Sequence, residues 1–473
     1  MPKIELDVPE GYEDIGELLK KYVEEITAAA PDTRGGRAVD FAKFERAAGR
    51  SAATLERETL RRLLQSLDID AERVCIGGKE HARVGRYEAT YSTQAGPVVV
   101  ERSIYRKVGE RNGKAVDPVS VRAGVLEGGW LPSAAQAMAY LMQQGTSREA
   151  EATARQLGRL PYSRSSFERV GQAVGGLFEA SRLDVEEVLA ESEPLAAEVR
   201  AVSASLDRVA VPMEEVRKRP RGRPRKGAPA RPVARVFRMA YCATVTEHDG
   251  EGNALRTVRY GRMPKGSADE LCESLAGDVA ALLRKKPGLR VVQLTDGAPE
   301  LAFLLARHLN EETVGVEPVR LVDFWHVAEK LGRAAVALDA ENSASMLARW
   351  KMQLANHSGA AASICAELSG TGGRDLRCGD SRPVHEAITY LENHGDRMDY
   401  AWARANGLPV GSGNVEATCK SLVAVRMKRP GSRWKEATGE RILHLRALAL
   451  SDRWDAALKL TLAPLRKAIR LVA

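Results

Sequence analysis

Three acids stand where metal-dependent phosphoryl chemistry could use them. Asp207 sits in the middle of the apolar stretch VSASLDRVAVPM (202–213). Asp296 follows the apolar run RVVQLT (290–295) and precedes Gly297, and Glu416 falls in the first turns after Gly411-Ser412-Gly413. An acid inside an apolar strand is costly without a partner, and a glycine after an acid lets the chain turn sharply. Open α/β sheets place their sites at the carboxyl ends of parallel strands. Two acids on neighbouring strands and a third from a facing helix can converge on hard divalent cations. Mg²⁺ takes oxygen ligands and keeps several waters, so two or three carboxylates suffice, with Mn²⁺ a possible substitute. Two such ions roughly 3.5–4 Å apart can activate a water and stabilise the leaving oxygen in phosphodiester cleavage. Each acid also has a plain role open to it. Asp207 could pair with an arginine, Asp296 could close an Asx-turn, and Glu416 could favour a helix N-terminus. Spacing alone does not choose between these.

Other residues accompany the three acids. Asp323 and His326 form an Asp-x-x-His step at a helix start; the histidine suits phosphate binding, proton transfer or a structural role. Lys420 lies four residues after Glu416, placed either to pair with it or to hold a phosphate. Arg433 and Trp434 offer a clamp or stack for an exposed base, with a core position as the other possibility for the tryptophan.

The elements that must carry these residues follow from periodicity. After 202–213, FRMAYCATVT (237–246) reads as a strand, 249–252 as a turn, and 257–263 as a returning strand. Then come a helix (268–285), the strand 290–295, a helix (299–310), a strand (319–324) and a helix (326–338). Strand upon strand, then strand-helix-strand-helix, describes a mixed α/β sheet. Residues 341–405 read as a helical insertion. Helices resume from Ser412, with others at 438–450 and 456–471. At the other end, 1–70 are helical in pattern and 84–106 form a β-hairpin around Gln94-Ala95-Gly96-Pro97. Within the helical block 133–192, Ser147 is placed to cap a helix reaching about Leu157. A turn at 158–161 leads to a second helix, from the serines at 163–166 through Phe178. Two helices across a short Gly-containing turn match a helix-turn-helix, and equally a plain αα-hairpin.

The charge is concentrated. The 473 residues carry a net +8, with 44% hydrophobic and 28% charged side chains. Nine basic residues and no acids lie between Arg217 and Arg235. Eight basic residues against two acids lie between Lys420 and Arg446, among them Arg426 and Lys428. Positive charge gathered into two short stretches is an electrostatic footprint for nucleic acid. In the first stretch, Pro220-Arg221-Gly222-Arg223-Pro224, flanked by Arg219, Arg225 and Lys226, resembles an AT-hook core. Its arginines would enter a narrow A·T minor groove; sequence-tolerant phosphate binding competes with that. None of the six cysteines forms a CxxC pair, so reduced thiols are expected and a cysteine zinc finger is excluded. No run approaches the ~20 apolar residues of a membrane span, and Met1–Glu10 lacks an apolar signal core. A soluble cytoplasmic protein is expected.

The words around the acids narrow the field. GLPVGSGNVEATCKSLVAVRMKRPGSRWKEATGERILHLRAL (407–448) resembles the C-terminal signature of bacterial ISKra-type insertion-sequence transposases. LTDGAP (294–299), LVDFWHVAEKL (321–331) and SLDRVAVPM (205–213) resemble that group's second acid motif, its Asp-x-x-His motif and its first acid strand. SIYR (103–106) resembles its N-terminal region. The resemblance, over about 85–450, implies an RNase-H-like core with Asp207, Asp296 and Glu416 as the DDE catalytic and metal-binding set. It matches Asp323 and His326 to the Asp-x-x-His element as auxiliary residues, and Lys420, from its place after Glu416, is expected to be auxiliary as well. It implies Mg²⁺- or Mn²⁺-dependent cleavage of element ends and strand transfer, double-stranded DNA as partner, a homo-oligomer, and a nucleoid-associated bacterial location. Relatives of the group carry paired cysteines near the N-terminus; this chain has Cys75 with His81, so no zinc is expected. The expected organisation is a helical region with hairpin (1–130), a helix-turn-helix-like segment (131–200), the core's first part (201–340) with its basic loop (214–235), the helical insertion (341–405) and the core's C-terminal helices (406–473). The alternatives are a non-catalytic DNA-binding protein that keeps the fold and an RNase-H-like nuclease of another purpose.

Overall fold

A computed structural model describes residues 13–32, 34–36, 38–110, 112–215, 234–266 and 268–472. The strands are β1 (Arg73–Ile76), β2 (Lys79–Thr93), β3 (Gly96–Lys107), β4 (Ala201–Glu215), β5 (Ala234–His248), β6 (Ala254–Arg262), β7 (Arg290–Thr295), β8 (Val319–Val322) and β9 (Ile469–Leu471). The chain divides into one unit of residues 1–180 and 458–473 and another of 181–457.

The first unit holds α1 (Glu13–Ala29), α2 (Phe41–Gln65), α3 (Pro118–Ala123), α4 (Pro132–Gln144) and α5 (Ser147–Gln156), and a sheet in the order β3-β2-β1-β9. Asp40 caps α2, its carboxylate accepting from Lys43 N at 3.0 Å. The β2–β3 hairpin turns at Gln94-Ala95 and buries Tyr91, Val98 and Val100 against Leu64 of α2. Thr146, one residue before the expected Ser147, caps α5. Glu149 N donates to its hydroxyl, and the Glu149 carboxylate accepts from Thr146 N at 2.7 Å, a reciprocal capping box. The helix after the turn, α6 (Arg164–Ser192), runs well beyond Phe178. The C-terminal helix expected to reach Leu471 is shorter. α18 (Trp454–Leu462) stops before a 3₁₀ turn containing Pro464, and β9 then pairs antiparallel with β1. Proline lacks the N–H an α-helix would need there.

The second unit is a mixed α/β layer arrangement. Its five-stranded sheet has the order β6-β5-β4-β7-β8. β4, β5 and β6 form an antiparallel meander, whereas β7 and β8 run parallel to β4. β4 is the central strand, and its residues 201–206 are buried without interruption, as a strand covered on both faces must be. One face packs on α7 (Ala268–Lys285) and α8 (Pro299–His308), followed by the single turn α9 (Glu311–Val314). Leu271, Cys272, Leu275, Val279 and Leu282 of α7 form the buried stripe. α10 (Phe324–Leu338) then packs with α11 (Ser343–Asn356), α12 (Ala360–Gly370) and α13 (Pro383–His394) around Trp350, Ile364 and Ile388. α14 (Tyr400–Ala405) returns the chain to the sheet, followed by α15 (Gly413–Thr418), a π-helical stretch (Cys419–Ala424), α16 (Val425–Met427) and α17 (Glu436–Leu450). Among the described residues no helix is long and apolar enough to cross a membrane.

Candidate active site

Strand register brings the aspartates into line. β4 and β7 pair in parallel up to Ser205↔Leu294; two steps further along each strand stand Asp207 and Asp296. β7 and β8 pair up to Thr295↔Val322; one step further stand Asp296 and Asp323, and Asp323 N donates to Thr295 O at 2.8 Å. Because side-chain direction alternates with period two, in-step neighbours share a face. By this register Asp207, midway along β4, stands level with Asp296 and Asp323, which directly follow β7 and β8.

Asp323 is fully buried and is held from two directions. One oxygen caps α10, accepting from His326 N at 2.8 Å. The other accepts from Ser412 N, which ties the loop before α15 to the strand row. Burial alone would raise the Asp323 carboxyl, but His326 and the Ser412 amide outweigh it and hold the group below the usual carboxylate range.

α15 brings Glu416 to the same place. His326 Nδ1 lies 3.2 Å from Asp323 Oδ1 and 3.7 Å from Glu416 Oε1. Among the described residues, Asp323, His326 and Glu416 are the group whose ligand atoms all lie within 4.8 Å of one another, as a shared metal ion requires. His326 Nδ1 is buried and has no aligned hydrogen-bond partner. That orphaned nitrogen, with two carboxylates beside it, is a donor set that fits a divalent cation. Without a cation, the Asp323 contact, reinforced by Glu416 and Asp296, raises the pKa of His326 despite partial burial.

Asp207 lies outside that three-residue group. Its Oδ1 accepts from Arg208 N at 2.6 Å, and the Cys419 thiol lies 3.4 Å from its Oδ2. The Arg208 guanidinium pairs with Glu300 instead. Cys419 is three residues beyond Glu416, so the π-helical stretch reaches back over the first aspartate; such stretches recur at functional sites. Contact with Cys242 and burial keep the Cys419 thiol protonated far above its ordinary range.

Asp296, also outside the group, does make the Asx-turn: Ala298 N donates to its Oδ1 at 2.8 Å. A second support was not legible in the sequence. The Tyr390 hydroxyl, from α13, donates to Asp296 O at 2.7 Å. Gly297 has φ +91°, and a Cβ there would stand 2.8 Å from the Tyr390 hydroxyl oxygen and 3.2 Å from His394 Nε2.

The remaining sequence candidates scatter. Lys420, Lys428 and Arg433 are exposed. Arg426 and Trp434 are 5% and 8% exposed. The Arg426 guanidinium lies over the Trp434 ring at 4.9 Å, and the indole N–H donates to Met427 O at 3.1 Å. Trp434 also pairs its backbone with β4, donating to Pro212 O and accepting from Glu214 N. In this structure the pair packs in the interior and offers no face to a base. Arg219, Arg221, Arg223, Arg225 and Lys226 lie outside the described residues. Sequence reasoning passed over Trp325, which projects from α10 between Phe324 and His326 and is 58% exposed.

No protein-family model and no curated protein matches the chain. Among solved structures, the Drosophila P element transposase strand transfer complex is similar over 70% of this chain and 83% of that one, at 12% identity and a TM-score of 0.24. The Mos1 transposase paired-end complex with left transposon end is similar over 57% and 79%, at 16% identity and a TM-score of 0.16.

Proposed function

We propose that the chain is a DDE transposase of a bacterial insertion sequence, of the ISKra type its motifs resemble, with the second unit as its RNase-H-like core. One observation carries this: three aspartates in step across adjacent parallel strands, with Glu416 brought beside Asp323 through His326 and the Asp323–Ser412 tie. A meander followed by two parallel strands in the order β6-β5-β4-β7-β8 is the arrangement an RNase-H-like core requires. Double-stranded DNA is the partner, a homo-oligomer would join two ends, and the cytoplasm is the expected location.

Asp207, Asp296 and Glu416 supply the anionic oxygens that hold Mg²⁺ or Mn²⁺, with Asp323 and His326 alongside. When bound, the ions supply an activated attacking oxygen and charge stabilisation at the leaving oxygen. The chain's own residues do the rest. Asp323 fixes the loop that carries Glu416. Tyr390 and Gly297 fix the turn that aims Asp296. His326 would help hold the ion through Nδ1 beside Asp323 and Glu416, and a proton of the attacking water passes to the leaving oxygen. In the first step water attacks the end phosphodiester, the P–O3′ bond breaks and a 3′-hydroxyl remains. In the second, that hydroxyl attacks a target phosphodiester, one P–O bond replacing another. Lys420, Lys428, Arg433 and the 217–235 segment hold the strands electrostatically.

The test is to incubate the full chain with a plasmid carrying the DNA that flanks its gene, with Mg²⁺, Mn²⁺ or EDTA, and to map cut and joined strands. Metal-dependent nicks at element ends and joined products are expected. Binding without cleavage under any metal would leave a non-catalytic DNA-binding protein, and cleavage without joining would leave a nuclease.

A further inference from the structure

Trp325 lies beside the acid row and has no part in the chemistry described above. Phe324, on one side of it in the chain, turns inward and meets Tyr400 edge-on at 5.2 Å. His326, on the other side, reaches Asp323 and Glu416. Trp325 points outward, 58% exposed. A large aromatic left in water forgoes the gain of burial, so its position calls for a reason.

Two contacts define the surroundings. A Cβ on Gly411 would stand 3.2 Å from Trp325 Cδ1, 3.3 Å from its Nε1 and 3.7 Å from Asp323 Oδ2. The edge of the ring and the buried carboxylate thus flank the same glycine. The Lys351 ammonium, from α11 of the insertion, lies 4.5 Å from the ring centroid. An exposed aromatic with a lysine ammonium against it matches what a single-stranded nucleic acid needs: a flat surface for one base and a positive charge for its phosphate. A protein partner would favour an apolar rim, whereas a cation lies on this ring and carboxylates lie beyond its edge.

We propose that Trp325 and Lys351 form a stacking platform for an unpaired base next to the phosphate undergoing reaction. Lys351 moves from the ring to the phosphate when the base arrives, and the base takes its place on the indole. The proposal rests on the reading of the acid row as a DNA-processing site. It also gives the helical insertion a role, since α11 brings the lysine to the site.

The test uses the full chain and a single-stranded 20-mer carrying one 2-aminopurine, with the fully paired duplex of the same sequence as control. Stacking on indole quenches 2-aminopurine, so the wild type should quench the single strand and leave the duplex nearly unchanged. Trp325→Ala should remove the quenching and weaken single-strand binding by about tenfold, with less than about twofold effect on duplex. Trp325→Phe should restore much of the affinity. Lys351→Ala should weaken single-strand binding and reduce its salt dependence by roughly one phosphate. Unchanged quenching in Trp325→Ala would overturn the platform, as would equal losses on single strand and duplex. Because the residue is exposed, an unchanged melting temperature for Trp325→Ala is expected and separates loss of stacking from loss of fold. Metal-dependent cleavage by the wild type is scored separately. A protein that quenches through Trp325 and never cleaves refutes the transposase and keeps the platform; one that cleaves but never quenches does the reverse.

Discussion

Asp323→Asn removes a charge from the best-connected buried acid of the candidate site at nearly constant volume. In the wild type one oxygen accepts the α10 cap from His326 N at 2.8 Å and the other accepts Ser412 N. Asparagine has one acceptor, so whichever way its amide turns, an N–H faces an N–H. The cost is a hydrogen bond to a charged acceptor and a buried donor left unmatched, about 2–4 kcal/mol. For a unit of this size that lowers the melting temperature by roughly 3–7 °C. The pH dependence has a definite sign. The depressed Asp323 carboxyl stabilises the fold above the unfolded Asp pKa of about 3.9, and that gain is lost as pH falls through the folded value. The raised His326 imidazole stabilises below the unfolded His pKa of about 6.5, and that gain is lost as pH rises through the folded value. The gap between wild type and variant should thus be widest between about pH 4 and 6.5. It should narrow above that window to the part due to the backbone hydrogen bonds. Thermal melts across pH and an NMR titration of His326, whose pKa should fall in the variant, measure both. A variant that melts within about 1 °C of wild type throughout, with the His326 titration unmoved, would refute the account of how Asp323 holds the site together.

Asp207→Asn, Asp296→Asn and Glu416→Gln should each abolish cleavage and leave DNA binding largely intact; a variant that cleaves at the normal rate removes its residue from the catalytic set. Gly297→Ala should destabilise by about 1–3 kcal/mol, because φ is +91° and the new methyl meets the Tyr390 hydroxyl and His394; an unchanged melting curve would show that the Asp296 turn can relax. Arg221→Ala with Arg223→Ala should weaken DNA binding and flatten its salt slope by roughly 0.9 per lost phosphate contact. A greater loss on A·T-rich than on G·C-rich duplex marks an AT-hook, equal losses mark a basic tether, and unchanged affinity marks a spacer. EDTA should stop cleavage while leaving DNA bound; cleavage that persists would remove the divalent metal from the mechanism.

Much of the second unit was legible from the chain alone, because its elements announce themselves locally. The small-residue and apolar stretch around 201–206 and the run 290–295 are buried strands, Asp-Gly at 296–297 is a turn, and the stripe on α7 has helical period. The types and order of the acids were legible too, since an acid ending an apolar strand is visible in one dimension. Other features depended on three-dimensional contact. Parallel register, which puts Asp207, Asp296 and Asp323 in step, is set by packing between segments far apart in sequence. Asp323 and His326, read as auxiliary, became the best-connected part of the site because Ser412, 89 residues away, donates to Asp323. Trp434 and Trp325 carry the same side chain and the same stacking chemistry, yet one is enclosed by β4 and Arg426 while the other faces water. Burial belongs to the neighbours a residue acquires on folding. The last residues, helical in pattern, became β9 because β1 offered an unpaired edge, a partner that local periodicity cannot reveal. Sequence by itself thus determined which side chains could do chemistry and on what elements they ride; tertiary structure decided which of them meet, because distance across a sheet is not encoded in distance along the chain.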